Sequence, residues 1–218
     1  MTKLFLALAA VAALAAPAAQ AAPVDPGPDF EDLSQLKNLK LDIRYATVHN
    51  FANVDLYGDW EKCLLHKEAA AKLKQAAKQL AKEKPKWKLL IFDCLRPRSV
   101  QRKLWDVVKG TPNEEYVMNP DKGSVHNFGF AVDLSLEDEN GKEVDMGTPY
   151  DNFTQLAQPR YEEENLKAGK LTKKQVENRL ILRNLMTKAG FQIINNEWWH
   201  FDGKARSALA REGYKIVE

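Results

Sequence analysis

The order of hydrophobic and polar residues predicts a strand, a long helix and a second strand in the first half of the chain. Leu39, Leu41, Ile43 and Tyr45 alternate with polar residues, and a further apolar run covers 86–93. Both patterns are typical of strands. Between them, residues 61–84 carry leucine and alanine at helical spacing, which predicts an amphipathic helix ended by a proline.

The second half of the chain has similar signals, with shorter elements. Residues 130–136 alternate again and predict a strand, and the Asn140-Gly141 pair that follows predicts a tight turn. A short helix is expected to begin near Ser99. Two short strands are expected on either side of residues 195–196.

A further helix is predicted after residue 171 from its capping residues. Thr172 and Gln175 have the spacing of a capping box, and Gly190 is a suitable helix end. Strands and helices therefore mix without a regular alternation and without an internal repeat. The sequence predicts one α+β domain, residues 36–218, with a central antiparallel sheet flanked by helices.

The first residues have the features of a signal peptide. Lys3 precedes a short apolar run, and small residues surround position 20, which predicts a signal peptide over 1–21 with cleavage after Ala21. The alternative is a membrane helix, but the apolar run is too short to span a bilayer comfortably. Residues 22–35 are rich in proline and acid and predict a flexible leader. We therefore expect an exported protein, periplasmic or secreted, without a stable membrane anchor.

Composition adds little about function beyond exclusions. The chain has 218 residues, of which 44% are hydrophobic and 28% charged, as in a soluble globular protein. Its formal net charge is +2, and it has no basic run of the kind that binds nucleic acid. We therefore expect no nucleic-acid partner.

The two cysteines allow two interpretations. Cys63 and Cys94 are the only cysteines of the chain, and an oxidising compartment would let them form a disulfide. Alternatively, both are buried free thiols, which is a common environment for cysteine. Spacing along the sequence does not decide between these alternatives, because it does not give the distance between the two Cα atoms.

Two segments carry residues suited to binding a metal ion. His126 and Asp133 lie in one segment, and a bend at Gly129 would let their side chains converge despite their odd separation. His200 in the second segment completes a set of three ligands. Catalytic zinc sites use three protein ligands and leave the fourth position to water. Glu197 would then be a base that does not bind the metal, provided that the chain turns between residues 195 and 198.

Each of these residues also has a purely structural interpretation. His126 could be a loop histidine, Asp133 an ion-pair partner and Glu197 a solvated turn residue. The histidines at positions 49 and 66 have no such partners, so we expect His49 in a loop and His66 inside the long helix, both structural. The tryptophans at positions 198 and 199 are expected to pack in the core, although one could line the site.

Two motifs together resemble those of a known peptidase family. Residues 124–133 have the pattern S-x-H-x-x-G-x-A-x-D, and residues 197–200 have the pattern E-x-W-H. This combination resembles the VanX-type D-alanyl-D-alanine dipeptidases, which are zinc D,D-peptidases with the fold of the hedgehog signalling domain. The resemblance extends to the segments DIRYAT (42–47), DCLRP (93–97) and DMGTPYD (145–151). It therefore covers nearly all of the chain after the signal peptide.

The resemblance implies a role for each matching residue. One zinc ion would be held by three ligands: His126, Asp133 and His200. Glu197 would be the catalytic base, and Arg96 would face the scissile carbonyl. Asp151 would receive the free amine of the substrate, and Ser124 would also contact the substrate. The expected substrate is a small D,D-dipeptide or another peptide derived from peptidoglycan.

Two alternatives to a dipeptidase stay open from the sequence. One is a D,D-carboxypeptidase that trims peptidoglycan stem peptides with the same metal chemistry. The other is a zinc-containing domain that binds the cell wall without turnover, since relatives of the hedgehog type use the fold in this way. The presence of both Glu197 and Arg96 favours an enzyme, because a binding domain has no need of either.

Overall fold

A five-stranded sheet forms the centre of the molecule. The computed structural model describes residues 24–218, so the predicted signal peptide, 1–21, lies outside the described residues. The strands are β1 (Phe30–Asp32), β2 (Leu39–Leu41), β3 (Leu64–His66), β4 (Lys88–Asp93), β5 (Ala131–Glu137), β6 (Gln192–Ile193) and β7 (His200–Asp202). The central sheet has the order β2-β4-β5-β7-β6, and β1 pairs with β3 in a separate two-stranded sheet.

Helices pack around this sheet. They are α1 (Lys67–Glu83), α2 (Arg98–Val108), α3 (Glu162–Lys167), α4 (Lys173–Lys188) and α5 (Arg206–Glu212). The apolar side of α1 is buried and contacts β4 and α4. All seven residues of β5 are buried, as expected for the middle strand of a covered sheet. Among residues 24–218, no helix has the length and apolar character needed to cross a membrane.

The predicted fold class is confirmed, with one difference in strand direction. Three of the four strand pairs in the central sheet are antiparallel, whereas β2 and β4 run parallel. A parallel pair needs a long connection, and β3 together with α1 provides it. The molecule therefore has a mixed sheet with a mainly antiparallel core.

The predicted leader extends too far along the chain. Within the range 22–35, residues Phe30–Asp32 form β1, which pairs in antiparallel register with β3. Leu33 is 2% exposed and belongs to the hydrophobic core. The composition of the segment suggested flexibility, but its few hydrophobic side chains find a packing surface on the rest of the domain.

The predicted position of His66 is wrong. His66 is the last residue of β3 and the N-cap of α1, which begins at Lys67 and not near residue 61. Its Nδ1 accepts a hydrogen bond from the backbone NH of Glu68, 3.3 Å away, and its ring stacks on Phe130. The role is structural, as predicted. His49 lies in an exposed loop, also as predicted.

Several local predictions are confirmed by their hydrogen bonds. Thr172 and Gln175 form both bonds of a capping box at the start of α4, and Gly190 follows its end with a φ of 91°. Gly141 adopts a φ of 75° in the turn after β5. The strand predicted from residue 39 is shorter than expected, because the chain leaves the sheet after Leu41 and forms a 3₁₀ helix at Arg44–Ala46.

The two cysteines form a disulfide. Cys63 and Cys94 are both buried, and their Cα atoms are 5.1 Å apart. The bond joins the residue before β3 to the residue after β4. It therefore fixes the end of β4, from which the chain enters the candidate site described next.

Candidate active site

The pairing of β5 with β7 brings two of the predicted metal ligands together. Asp133 in β5 and His200 in β7 are direct register partners across the antiparallel pair. Side chains at such paired positions point to the same face of a sheet. His126 comes from the 3₁₀ helix Val125–Phe128 that precedes β5. Gly129 ends this helix with a φ of 69°, which is the bend that the sequence requires if His126 is to reach Asp133.

Three ligand atoms converge at one point. His126 Nε2 lies 3.3 Å from Asp133 Oδ1 and 3.2 Å from His200 Nδ1, and the last two atoms are 3.0 Å apart. All three side chains are largely buried. Within residues 24–218 this is the one group of histidine, cysteine, aspartate and glutamate side chains arranged to hold a metal ion.

The other ring nitrogens of the two histidines determine where the protons lie. His126 Nδ1 is 2.7 Å from the backbone carbonyl oxygen of Cys94, which can only accept a hydrogen bond. His200 Nε2 is 2.8 Å from a carboxylate oxygen of Asp202. In the neutral rings, each of these nitrogens carries the hydrogen. The converging nitrogens, His126 Nε2 and His200 Nδ1, therefore offer lone pairs.

The converging atoms fit a small divalent cation. Ligands about 2.0–2.1 Å from a tetrahedral zinc ion lie roughly 3.3–3.4 Å from one another. The three observed separations, 3.0 to 3.3 Å, are close to this edge length. Two imidazole nitrogens and one carboxylate also suit zinc better than calcium or magnesium, which prefer oxygen ligands. The residues present therefore fit a zinc ion with one coordination position left open.

The charges around the cluster also favour a cation. Burial would lower the pKa of His200, but the carboxylates of Asp202 and Asp133 outweigh burial and hold this pKa well above its ordinary value. Burial would likewise raise the pKa of Asp133, but His126 and His200 lower it. The protein therefore stabilises positive charge at this point.

Glu197 lies next to the cluster without belonging to it. Its Oε2 is 4.0 Å from His200 Nδ1, and the chain bends at residues 195–196 and 198–199, as predicted. Burial, with a contribution from the nearby Asp133 carboxylate, raises the pKa of Glu197 to about 7. A carboxyl group with this pKa can both accept and donate a proton near neutral pH.

Arg96 reaches the same site from the loop after β4. Its guanidinium donates to Asp93 Oδ2 at 2.8 Å, to Gln101 Oε1 at 3.0 Å and to Asp133 Oδ2 at 3.4 Å. Burial would lower the pKa of Arg96, but the Asp93 carboxylate outweighs it, so the side chain stays a cation. The guanidinium of Arg96 also lies over the aromatic ring of Tyr45, with 4.9 Å between the guanidinium carbon and the ring centroid.

Asp151 is a partly buried carboxylate with two neutral hydrogen-bond donors. The hydroxyl of Tyr45 is 3.4 Å from Oδ1, and the backbone NH of Phe51 is 3.2 Å from Oδ2. Among residues 24–218, no lysine or arginine forms an ion pair with it. Burial therefore raises the pKa of Asp151 well above its ordinary value. Its backbone has a φ of 57°, which is uncommon for a residue other than glycine.

Ser124 has a structural contact in addition to its place at the site. It is the N-cap of the 3₁₀ helix that carries His126, and its Oγ accepts a hydrogen bond from the backbone NH of His126 at 3.3 Å. Its hydroxyl hydrogen is not used in this contact. The capping contact accounts for a serine here whether or not a substrate binds.

A single cleft of about 450 Å³ brings all seven predicted site residues together. Its lining includes Arg96, Ser124, His126, Asp133, Asp151, Glu197 and His200. The volume is within the range of small-molecule sites. Trp198 and Trp199 are 4% and 1% exposed, which confirms their predicted packing role, and Trp199 also lines the cleft.

Sequence reasoning missed several residues of the site. Asp202 orients His200, and a signal for it existed, because residues two apart on a strand face the same side. Tyr150 donates a hydrogen bond to Asp133 Oδ2 at 3.0 Å. Phe153 stacks on Tyr116 with ring centroids 4.7 Å apart and forms an aromatic wall of the cleft. Arg206 also lines the cleft. No regular sequence pattern indicated that Tyr150, Phe153, Tyr116 or Arg206 belongs to the site.

The sequence matches a known enzyme family over most of its length. A profile of peptidase family M15, described as D-ala-D-ala dipeptidase, matches residues 28–215. The chain belongs to this family. Membership identifies it as a peptidase of the dipeptidase type and confirms both the recognised resemblance and the prediction of an enzyme.

Individual members of the family are also similar to this M15 chain. The D-alanyl-D-alanine dipeptidase of Escherichia coli is 33% identical over 76% of the chain and 79% of its own length. The corresponding protein of Synechocystis is 28% identical over 60% of the chain and 65% of its own length. The corresponding protein of Enterococcus faecium is 27% identical over 75% of the chain and 85% of its own length.

Proposed function

We propose that this protein is an exported, zinc-dependent dipeptidase that hydrolyses D-alanyl-D-alanine and similar D,D-dipeptides. The observation that carries the proposal is the convergence of two imidazole lone pairs and one carboxylate beside Glu197. The relatives named as D-alanyl-D-alanine dipeptidases supply the substrate class.

Glu197 is proposed as the proton carrier of the reaction. A zinc ion held by His126, Asp133 and His200 would polarise the scissile carbonyl and lower the pKa of a bound water to about 7. Glu197 takes a proton from the attacking water and later returns it to the leaving amine. Its pKa of about 7 suits both transfers.

Arg96 is proposed to stabilise the negative charge that develops on the carbonyl oxygen. It is a permanent cation that lines the cleft and is held in place by three side chains, so it needs no reorganisation during the reaction. Loss of one such donor typically lowers turnover by about 10²–10³-fold.

Asp151 is proposed to bind the free amine of the dipeptide. An ammonium group would give this partly buried carboxylate the cationic partner that it lacks among residues 24–218. A longer stem peptide has no free amine at this position and would leave the carboxylate unpaired. This argument favours a dipeptidase over a D,D-carboxypeptidase.

Export is proposed from the predicted signal peptide together with the disulfide. Disulfides persist in oxidising compartments, such as the bacterial periplasm, and are rare in the cytosol. The pairing of Cys63 with Cys94 is consistent with such a compartment.

The proposal is tested by an amine-release assay on the purified zinc-loaded protein. We expect cleavage of D-Ala-D-Ala and no cleavage of L-Ala-L-Ala or of a stem pentapeptide. Glu197→Gln should abolish turnover while binding one zinc ion per chain, as measured by elemental analysis. The exposed Glu163, which pairs with Lys167 on α3, offers a matched control, Glu163→Gln, with unchanged activity.

Other outcomes would identify one of the alternatives. Release of D-alanine from the pentapeptide would identify a D,D-carboxypeptidase. An absence of turnover on every substrate, despite bound zinc, would contradict the enzymatic proposal and favour a binding domain.

A further inference from the structure

A free dipeptide carries a charge at each end, and the proposed function accounts for only one of them. Asp151 pairs with the amine, which leaves the C-terminal carboxylate without a partner. This inference rests on the proposed function. We propose that Arg206, together with the hydroxyl of Ser124, binds the C-terminal carboxylate and makes the enzyme selective for peptides with a free C-terminus.

The electrostatics of the cleft require a cation for this purpose. Five acidic residues line the cleft: Glu115, Asp133, Asp151, Glu197 and Asp202. The lining of the cleft also includes two cationic side chains, those of Arg96 and Arg206. The carboxylate of a substrate is therefore best placed beside one of these two cations.

Most donors of Arg96 are already bonded to protein groups, so Arg96 can meet a single carbonyl oxygen but not both oxygens of a carboxylate. Its guanidinium bonds to Asp93, Gln101 and Asp133 and is 7% exposed. The two carboxylates balance its charge. A substrate carboxylate would therefore compete with both of them.

Arg206 differs from Arg96 both in its exposure to solvent and in its bonding partners. It is exposed, and among residues 24–218 it forms no ion pair. Its Nη1 donates to the backbone carbonyl oxygen of Lys122 at 3.0 Å. A guanidinium has five N–H donors, so most of its donors stay available for a carboxylate, which arginine can bind through two parallel hydrogen bonds.

The contact with Lys122 also joins Arg206 to the segment that carries Ser124, and both residues line the cleft. Lys122 lies two residues before Ser124, in the turn that leads into the 3₁₀ helix of His126. Ser124 Oγ accepts from the His126 NH and keeps its own hydrogen for an acceptor. Arg206 and Ser124 thus offer charged and neutral donors to one carboxylate. Asp151 is held by a different part of the chain, through Tyr45 and Phe51.

Peptide binding to a variant that cannot turn over tests this inference. The parent is zinc-loaded Glu197→Gln, and the probes are D-Ala-D-Ala and its C-terminal amide, measured by calorimetry. Adding Arg206→Gln should weaken binding of the free acid by about 10- to 100-fold, which is typical for a charge-assisted hydrogen bond. Binding of the amide should change by less than about twofold, and Arg206→Lys should restore part of the loss for the acid.

Arg211 provides the matched control. It lies on the same helix, α5, is exposed and pairs with Glu212, so Arg211→Gln removes the same charge outside the cleft. This change should leave both affinities unaltered.

Equal losses for acid and amide, or no loss at all, would overturn the inference. Failure of the Glu197→Gln parent to bind either peptide would also overturn it. The proposed function is judged separately, by cleavage of D-Ala-D-Ala by the wild-type enzyme. Cleavage by the wild type without any effect of Arg206→Gln on binding would contradict the carboxylate site alone.

Discussion

The hydrogen bonds on the outer nitrogens of His126 and His200 determine which nitrogens can bind a cation. The Cys94 carbonyl holds the hydrogen on His126 Nδ1, and Asp202 holds it on His200 Nε2. In its neutral form, each ring therefore presents its unprotonated nitrogen to the other and to Asp133. A backbone carbonyl thus orients the ring of His126, and a carboxylate orients the ring of His200. The carbonyl is neutral, whereas the carboxylate carries a negative charge.

Removal of the Asp202 carboxylate should weaken metal binding. Asp202→Ala leaves His200 Nε2 without its acceptor, and such outer partners are worth about 10- to 100-fold in metal affinity. We expect this loss in a chelator competition assay. Asp202→Asn keeps an acceptor oxygen and should lose less. Equal zinc affinity in all three proteins would show that Asp202 does not orient the ring.

The raised pKa of Glu197 predicts that ionisation of this residue lowers the folding stability of the metal-free protein. The folded state holds a proton on Glu197 up to a pH of about 7, whereas the unfolded chain releases it near the ordinary value of 4.5. Stability therefore falls as pH rises from about 4.5 to 7. By linkage, the cost at pH 8 is roughly 3 kcal/mol.

Glu197→Gln should remove this cost. In denaturant unfolding of the metal-free protein, we expect the variant to be more stable than the wild type at pH 8 and equally stable at pH 4.5. A stability difference that is the same at both pH values would contradict a raised pKa as its cause.

At the scale of elements, the site depends on the junction between the 3₁₀ helix and β5. Gly129 occupies this junction in the left-handed region of the backbone. A Cβ there would meet the ring of Phe30 and lie 3.1 Å from the backbone nitrogen of His66. The close approach of β1 and β3 therefore requires glycine at the bend that turns His126 toward Asp133.

Gly129→Ala should be more destabilising than the same change at a glycine with similar φ and open space. Gly141 has a φ of 75° and no heavy atom near the position of a Cβ, so Gly141→Ala isolates the backbone cost, about 1–2 kcal/mol. Gly129→Ala should cost about 1–3 kcal/mol more, because neighbouring groups must move. Urea unfolding measures both. Equal losses would show that the neighbours adjust without cost.

At the scale of the whole molecule, the disulfide connects the small sheet to the candidate metal site. Cys63 precedes β3, and Cys94 follows β4 and supplies the carbonyl that orients His126. Asp93, next to Cys94, holds Arg96. The disulfide therefore supports the segment after β4, which orients the ring of His126 and carries Arg96.

Replacement of both cysteines by alanine should lower stability and metal affinity together. The bond closes a loop of 31 residues, worth about 3–4 kcal/mol in the chain-entropy treatment. We expect a loss of this size in urea unfolding, and weaker zinc binding by the folded variant. Wild-type protein treated with a phosphine reductant should behave like the variant. Unchanged stability in both would contradict a structural role for the disulfide.

Much of this protein could be predicted from local sequence signals. The capping box at Thr172, the turn at Gly141 and the alternation that marks β5 depend on residues close in sequence, and the structure has all three. The two motifs around His126 and His200 also identified the family, because their residue types and spacings are specific in combination.

Tertiary structure alone decided the rest, since these features depend on contacts between distant segments. The leader residues Phe30–Asp32 form a strand only because β3 offers an edge, and His66 ends that strand instead of lying inside α1. The pairing of Cys63 with Cys94 and the position of Arg206 in the cleft depend on how β4 and α5 pack. Local sequence patterns indicate which secondary structure a segment favours, whereas residues distant in sequence determine which surface the segment packs against.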